Sequence, residues 1–190
     1  MFTDLEKGLV KSSWAQILPL ADSFADAFYK RSFELRPDYR TLFPLDMSSQ
    51  KRKLLRLLAF AVNSLSFADS EGHAAEPAAE DLLQVALALG RGRDPLYRVP
   101  REAVQTFGDA LIYALEQTAN SHLTPEAQSA WRRLYAALEL AMQLGSAHAE
   151  ERALSLSSEQ AQDLCERALL AQLASAESLR ARLELSEGPA

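Results

Sequence analysis

Apolar residues recur at every third or fourth position along most of this 190-residue chain, which is the spacing of an amphipathic helix. No segment shows the clean two-residue alternation of a strand, and β-branched residues are few. The pattern therefore predicts an all-α fold. Its clearest run predicts a helix over about 50–67 and consists of Leu54, Leu57, Leu58, Ala61 and Leu65.

Capping residues divide the chain into the remaining predicted helices. Thr3 with Glu6 resembles a capping box that opens a first helix, and Ser157 with Gln160 resembles a second box near the C-terminal end. Either Ser48 or Ser49 can cap the helix over 50–67. The other predicted helices, with boundaries approximate, occupy residues 4–18, 20–35, 37–43, 79–90, 100–119 and 124–145.

Composition narrows the class of protein. Hydrophobic residues make up 48 % of the chain, so we expect one sizeable core over residues 1–148, followed by a helical extension over 149–190. The net charge of −6 disfavours generic binding of nucleic acid. Cys165 is the only cysteine, which excludes an internal disulfide. With no visible signal peptide or membrane span, we expect a cytoplasmic protein without a membrane partner.

The sequence contains no recognisable catalytic constellation. It has no phosphate-binding loop, no metal-ligand cluster, and no nucleophile with a histidine and an acid at a known family spacing. We therefore expect a binding protein rather than an enzyme, with no catalytic and no metal-ligating residues.

Five short motifs, in order, resemble the globin superfamily over residues 4–145, and most specifically its single-domain bacterial members. They are 24–33 (FADAFYKRSF), 42–44 (LFP), 50–54 (QKRKL), 107–112 (FGDALI) and 130–135 (AWRRLY). The resemblance implies a globin-like helical fold with an extra C-terminal helix and an interior ligand pocket. It places Tyr29 and Gln50 at ligand-facing positions, Phe43 where an aromatic ring stacks on a porphyrin, and Leu54 on the same distal helix.

The chain departs from the globin pattern where the iron-binding histidine is expected. That position falls on Asp94, or on Arg93 if one gap is allowed, and the only histidines are His73, His122 and His148. A guanidinium does not bind iron as an imidazole does, and a carboxylate binds it differently. The sequence therefore disfavours haem held through a proximal histidine.

The segment 93–97 (RDPLY) resembles the bilin-binding stretch of phycobiliproteins, which share the globin core. This resemblance implies a linear tetrapyrrole such as biliverdin, with Arg93 pairing a propionate, Asp94 accepting pyrrole N–H bonds, and Tyr97 as the aromatic of the stretch. Arg91 stands where phycobiliproteins carry their attachment cysteine, so the implied binding is non-covalent. The predicted cofactor-binding residues are Arg91, Arg93, Asp94, Tyr97, Gln50, Leu54, Phe43 and Tyr29.

Several alternatives stay open at this point. The protein is a bilin carrier or sensor, a haem-free regulatory globin that transmits stress signals, or an atypical haem protein that binds O2 or NO. Tyr29 and Phe43 are otherwise plain core aromatics, Gln50 a helix cap, and Arg93 with Asp94 a solvated loop pair. The basic residues early in the 50–67 helix are either a solvated face or a clamp for propionates.

The C-terminal extension also has two interpretations. Its apolar stripe needs burial, either against the core of its own chain or against a second copy or a partner protein. The stripe consists of Leu164, Ala168, Leu169, Leu173, Leu179 and Leu183.

Overall fold

A computed structural model of the chain describes residues 2–65, 85–89, 103–119, 123–147, 157, 159–170 and 173–174. It contains five long helices: α1 (Asp4–Ile17), α2 (Ala21–Leu35), α3 (Ser48–Asn63), α4 (Ala103–Ala119) and α5 (Pro125–Ala147). Short 3-10 turns occupy Leu18–Leu20 and Pro37–Leu42, and residues 85–89, 159–170 and 173–174 are also helical. No strand occurs in these ranges, so the prediction of an all-α fold is confirmed.

The predicted capping boxes are both present. The Glu6 amide donates to Thr3 Oγ1 at 3.2 Å, and the Thr3 amide donates to Glu6 Oε2 at 2.8 Å. The same reciprocal pair joins Ser157 and Gln160, at 2.8 and 3.1 Å. Each box satisfies two amides that have no partner inside their helix, which is why the chain turns into a helix at these points.

The predicted cap of α3 is wrong. Ser48 and Ser49 lie inside the helix, and Met47 occupies the capping position without a side-chain hydrogen bond. The Asp46 carboxylate accepts the Ser48 amide at 2.9 Å, because an acid just upstream of the helix reaches its first amide and favours its positive end. The described helix ends at Asn63, followed by a turn at Ser64 and Leu65; the predicted residues 66–67 lie outside the described part.

The core forms where α2 packs along α4 and α5 packs across α1 and α4. Trp14 and Trp131 are buried there with ring centroids 6.2 Å apart. The Trp131 indole donates to the hydroxyl of Ser13 on α1 at 2.8 Å, which satisfies a polar group that burial would otherwise leave unpaired. Both tryptophans are therefore packing residues of the core.

The helical segment 159–170 belongs to the same core. Ala161, Cys165 and Leu169 repeat at every fourth residue and are buried, so they form one face of this segment. Arg56 of α3 donates to Glu166 at 2.7 Å beside that face. In the described part of the predicted stripe, Leu169 is buried and Leu164, Ala168 and Leu173 are half-buried, and all four pack against the core of their own chain. Leu179 and Leu183, the last members of the predicted stripe, lie outside the described residues.

Candidate functional site

Four of the predicted ligand-binding residues lie together in the interior, where α2 meets α3 and the segment before it. Tyr29 and Phe43 are in edge-to-face contact, with ring centroids 5.6 Å apart. The Tyr29 hydroxyl donates to the backbone carbonyl of Gln50 at 3.3 Å. Leu54 is buried one helical turn after Gln50, on the same face of α3. We call this group the distal cluster.

The distal cluster is backed by further aromatic rings. Phe107 of α4 stacks on Tyr39, with centroids 5.8 Å apart and planes 12° from parallel, and it also stacks on Phe28. Phe33 contacts both Tyr29 and Phe43. Rings in contact at these distances pack as a stiff, apolar surface. We call Phe28, Phe33, Tyr39 and Phe107 the aromatic wall.

Two buried polar atoms in this region have no hydrogen-bond partner among the described residues. They are the side-chain oxygen Oε1 of Gln50 and the hydroxyl of Tyr39, and both residues are 5 % exposed. An unpaired polar atom in an apolar interior costs about 1–3 kcal/mol. Because Asp46 supplies the α3 cap, capping does not account for the burial of Gln50.

Tyr135 and Glu139 form a buried polar pair on α5 that the sequence analysis did not single out. The Tyr135 hydroxyl donates to Glu139 Oε1 at 2.6 Å, and Glu139 is only 3 % exposed. Burial raises the pKa of Glu139 from 4.5 to about 7, although the bond from Tyr135 acts in the opposite direction. Burial is the largest cause that raises the pKa of Tyr135 well above its ordinary value. The negative charge of Glu139 raises this pKa further, and Tyr29 makes a smaller contribution in the same direction.

A sequence signal for this pair does exist. Glu139 follows Tyr135 by four residues, so both lie on one face of α5 with the buried Leu138 and Met142 beside them. An acidic residue within the apolar stripe of a helix is a candidate for a functional or paired position.

The other predicted site residues, Arg91, Arg93, Asp94 and Tyr97, lie outside the described residues, as do His73, His122 and His148. The segment just before them, 85–89, is helical and buries Val85, Ala86, Ala88 and Leu89. The expected roles of Arg91, Arg93, Asp94 and Tyr97 therefore stay predictions. Within the described ranges no group of three or more histidine, cysteine or acidic side chains forms a potential metal site.

The basic face of α3 is partly occupied by ion pairs. Lys51 pairs with Asp26 of α2, and Arg56 pairs with Glu166 of the C-terminal segment. A ligand propionate at either cation would have to compete with a carboxylate of the protein, which does not favour the clamp hypothesis for these two residues.

A separate groove of about 640 Å³ lies between the start of α2, α3 and the C-terminal segment. Its lining shares no residue with the distal cluster. Leucine is the commonest residue in the lining, which consists of Leu18, Leu20, Leu55, Leu169, Leu170 and Leu173, with Pro19, Ala21, Asp22, Ser23, Arg52, Arg56 and Glu166.

The fold and the site define an all-α protein with a polar cluster buried beside aromatic rings. No family model matches the chain. A curated relative, cytoglobin-2 of Danio rerio, is 24 % identical over 146 residues, which cover 72 % of this chain and 78 % of that protein. This similarity, together with the helical architecture, supports a globin-like relationship. None of the described helices is both long and apolar enough to cross a bilayer.

Proposed function

We propose that this protein binds a linear tetrapyrrole, a bilin such as biliverdin, non-covalently at the distal cluster, and acts as a bilin carrier or sensor rather than an enzyme. The unpartnered oxygen of Gln50, buried beside the aromatic wall, is the observation that carries the proposal. The aromatic rings suit a flat conjugated ligand, and the amide oxygen requires an N–H donor once water is excluded. The pyrrole rings of a bilin supply both.

The state of the only cysteine supports non-covalent binding. A thioether link to a bilin requires a reactive thiol, and thiolates are the reactive form. Cys165 is buried and burial raises its pKa to about 12, so its thiol stays protonated at neutral pH. Arg91 replaces the cysteine that the phycobiliprotein resemblance would require.

The resemblance adds three residues to the proposed site. Arg93 would pair with a propionate through its two-pronged guanidinium, Asp94 would accept pyrrole N–H bonds, and Tyr97 would supply a ring. Charge-assisted bonds of this kind contribute roughly 1.5–3 kcal/mol each.

Haem is the second candidate, and the similarity to a cytoglobin favours it. The pyrrole nitrogens of haem are bound to iron, so haem has no N–H group for Gln50 Oε1. The iron would also need an axial ligand other than a histidine at positions 90–95. A haem-free regulatory globin remains the third hypothesis.

Absorption spectroscopy tests the proposal. We expect biliverdin to bind one per chain, with a shifted long-wavelength band and induced circular dichroism. We expect Gln50→Leu to weaken binding about tenfold because it removes the acceptor, and Gln105→Leu, a matched change at an exposed position of α4, to leave binding unchanged. Asp94→Asn should shift the band, whereas Arg93→Ala should weaken affinity with little spectral effect, since a propionate is not conjugated to the rings.

Two outcomes contradict the proposal. A haemin titration that gives a tight, histidine-ligated ferrous spectrum would establish the haem alternative. Absence of binding by either tetrapyrrole would favour the haem-free regulatory alternative.

A further inference from the structure

The groove between the start of α2, α3 and the C-terminal segment has an apolar floor and an apolar rim. Leu18, Leu55 and Leu169 form the floor, and each is at most 8 % exposed. Leu20 and Leu170 stand at the rim, where they are 45 % and 57 % exposed. Both the rim and the hollow leave leucine surface in contact with water, which is unfavourable. One patch therefore carries protruding leucines beside a hollow of about 640 Å³ that can receive such side chains.

The charged residues of the groove balance each other. Arg56 and Glu166 form a salt bridge at 2.7 Å, so they neutralise one another within the chain. Asp22 and Arg52 are exposed, and neither forms a salt bridge with a described residue, although Arg52 attracts Asp46 at longer range. With two cations and two anions, the lining has no surplus of charge that would attract a nucleic acid, an acidic peptide or an anionic lipid surface.

A second copy of the chain matches both properties of the patch. Where two copies meet through the same surface about a two-fold axis, each residue i of one copy faces residue j of the other, and j faces i. Leu20 and Leu170 of each copy can then enter the hollow of the other copy. Asp22 of each copy can face Arg52 of the other, which gives two ion pairs from one unpaired cation and one unpaired anion per chain.

We propose that this groove is the contact surface of a homodimer, in which two copies of the chain pack groove to groove about a two-fold axis. The inference goes beyond the proposed function, because the groove lining shares no residue with the distal cluster. The lining is smaller than a standard interface of about 20–30 residues a side, so we expect a reversible, concentration-dependent dimer.

Sedimentation equilibrium of the full chain at increasing concentration tests the apolar part of the contact. We expect Leu170→Asp to raise the dissociation constant of the dimer at least tenfold, because it places a charge in the leucine-lined hollow of the other copy. Leu140→Asp, at a position of α5 that is 56 % exposed and lies outside the lining, is the matched control and should leave the constant unchanged. Both side chains are exposed in a single chain, so both variants should keep the wild-type circular dichroism.

Charge reversal tests the two-fold pairing. Asp22→Arg and Arg52→Asp should each weaken the dimer about fivefold at low ionic strength, because like charges then face each other twice across the contact. The variant with both changes should return to near wild-type affinity. A general effect of net charge would instead act in opposite directions in the two single variants. Lys30→Asp, an exposed change outside the lining with the same charge difference as Arg52→Asp, should leave the dimer intact.

Three outcomes would overturn the inference. They are a full chain that stays monomeric at the highest concentration, a dimer that Leu170→Asp leaves intact, and a double charge variant as weak as the single variants. If the full chain is monomeric while the chain cut after Ala174 forms dimers, residues 175–190 of the same chain occupy the groove instead. Biliverdin binding is measured separately by absorbance, so failure of the dimer leaves the proposed function standing.

Discussion

Gln50 and Glu139 are polar side chains at positions where this fold otherwise buries leucine, alanine and methionine. Both are at most 5 % exposed. Gln50 Oε1 has no partner in the described part of the chain, and Glu139 has one hydrogen bond from its own helix. At the residue scale, each polar side chain therefore lowers the stability of the fold relative to an apolar side chain that fills the same space.

The pH dependence of stability should report the burial of Glu139. Its folded-state pKa of about 7 lies above the ordinary value of 4.5, so between these limits the folded state binds more protons than the unfolded state. The free energy of unfolding should therefore fall as pH rises from about 4.5 to 7, by up to about 3 kcal/mol. We expect Glu139→Gln to remove most of this slope.

Urea unfolding of the wild type and the variant at pH 5, 6, 7 and 8 measures the difference. Glu159→Gln, which changes an exposed carboxyl, should give a curve parallel to that of the wild type. Equal slopes for Glu139→Gln and wild type would show that the carboxyl is not buried as described.

At the scale of elements, the segment 159–170 is held by one apolar face and one ion pair. Ala161, Cys165 and Leu169 bury its inner face, and Arg56 with Glu166 joins it to α3. The capping box of Ser157 and Gln160 starts the helix, but an isolated helix of this length is marginal in water, so tertiary packing supplies most of its stability. Disrupting the face should therefore release the whole segment.

The reactivity of Cys165 should report this release. Leu169 is 8 % exposed and Leu170 57 %, so Leu169→Asp places a charge in the core, while Leu170→Asp places it in water. We expect Leu169→Asp to raise the rate of Cys165 with a thiol reagent at least tenfold, and Leu170→Asp to leave it near the wild-type rate. Because Cys165 is the only cysteine, the signal has one source. Equal rates in the two variants would mean that Leu169 does not anchor the segment.

For the molecule as a whole, the distal cluster is separate from the described part of the C-terminal extension. The distal cluster is formed by α2, α3 and the segment between them, whereas the segment 159–170 covers a different part of α3, at Leu55 and Arg56. Although the segment 159–170 covers the core, Leu170 and Leu20 remain exposed at the groove. These two side chains leave an apolar surface for contact with another chain.

Deletion of residues 150–190 separates these roles. We expect the shortened chain to keep the spectrum of bound biliverdin, because no residue of the distal cluster is removed, and to lose stability because the groove loses one wall. Sedimentation velocity of both chains measures the oligomeric state. A dimeric full chain that becomes monomeric on deletion would establish an interface, and a changed spectrum would show that the extension belongs to the site.

Within the described residues, the sequence by itself determined the helical segments and the two capping boxes. Both depend on local features, which are the hydrogen bonds at a helix start and the side-chain spacing along a helix. It also determined the lack of a histidine at positions 90–95. Only the tertiary structure decided that Asp46 caps α3 in place of Ser48 or Ser49, that Arg56 pairs with Glu166, 110 residues away, and that Gln50 and Glu139 are both buried. Sequence spacing orients a side chain on its own helix, but its burial depends on which distant helix packs over it, and the pKa of Glu139 follows from that burial.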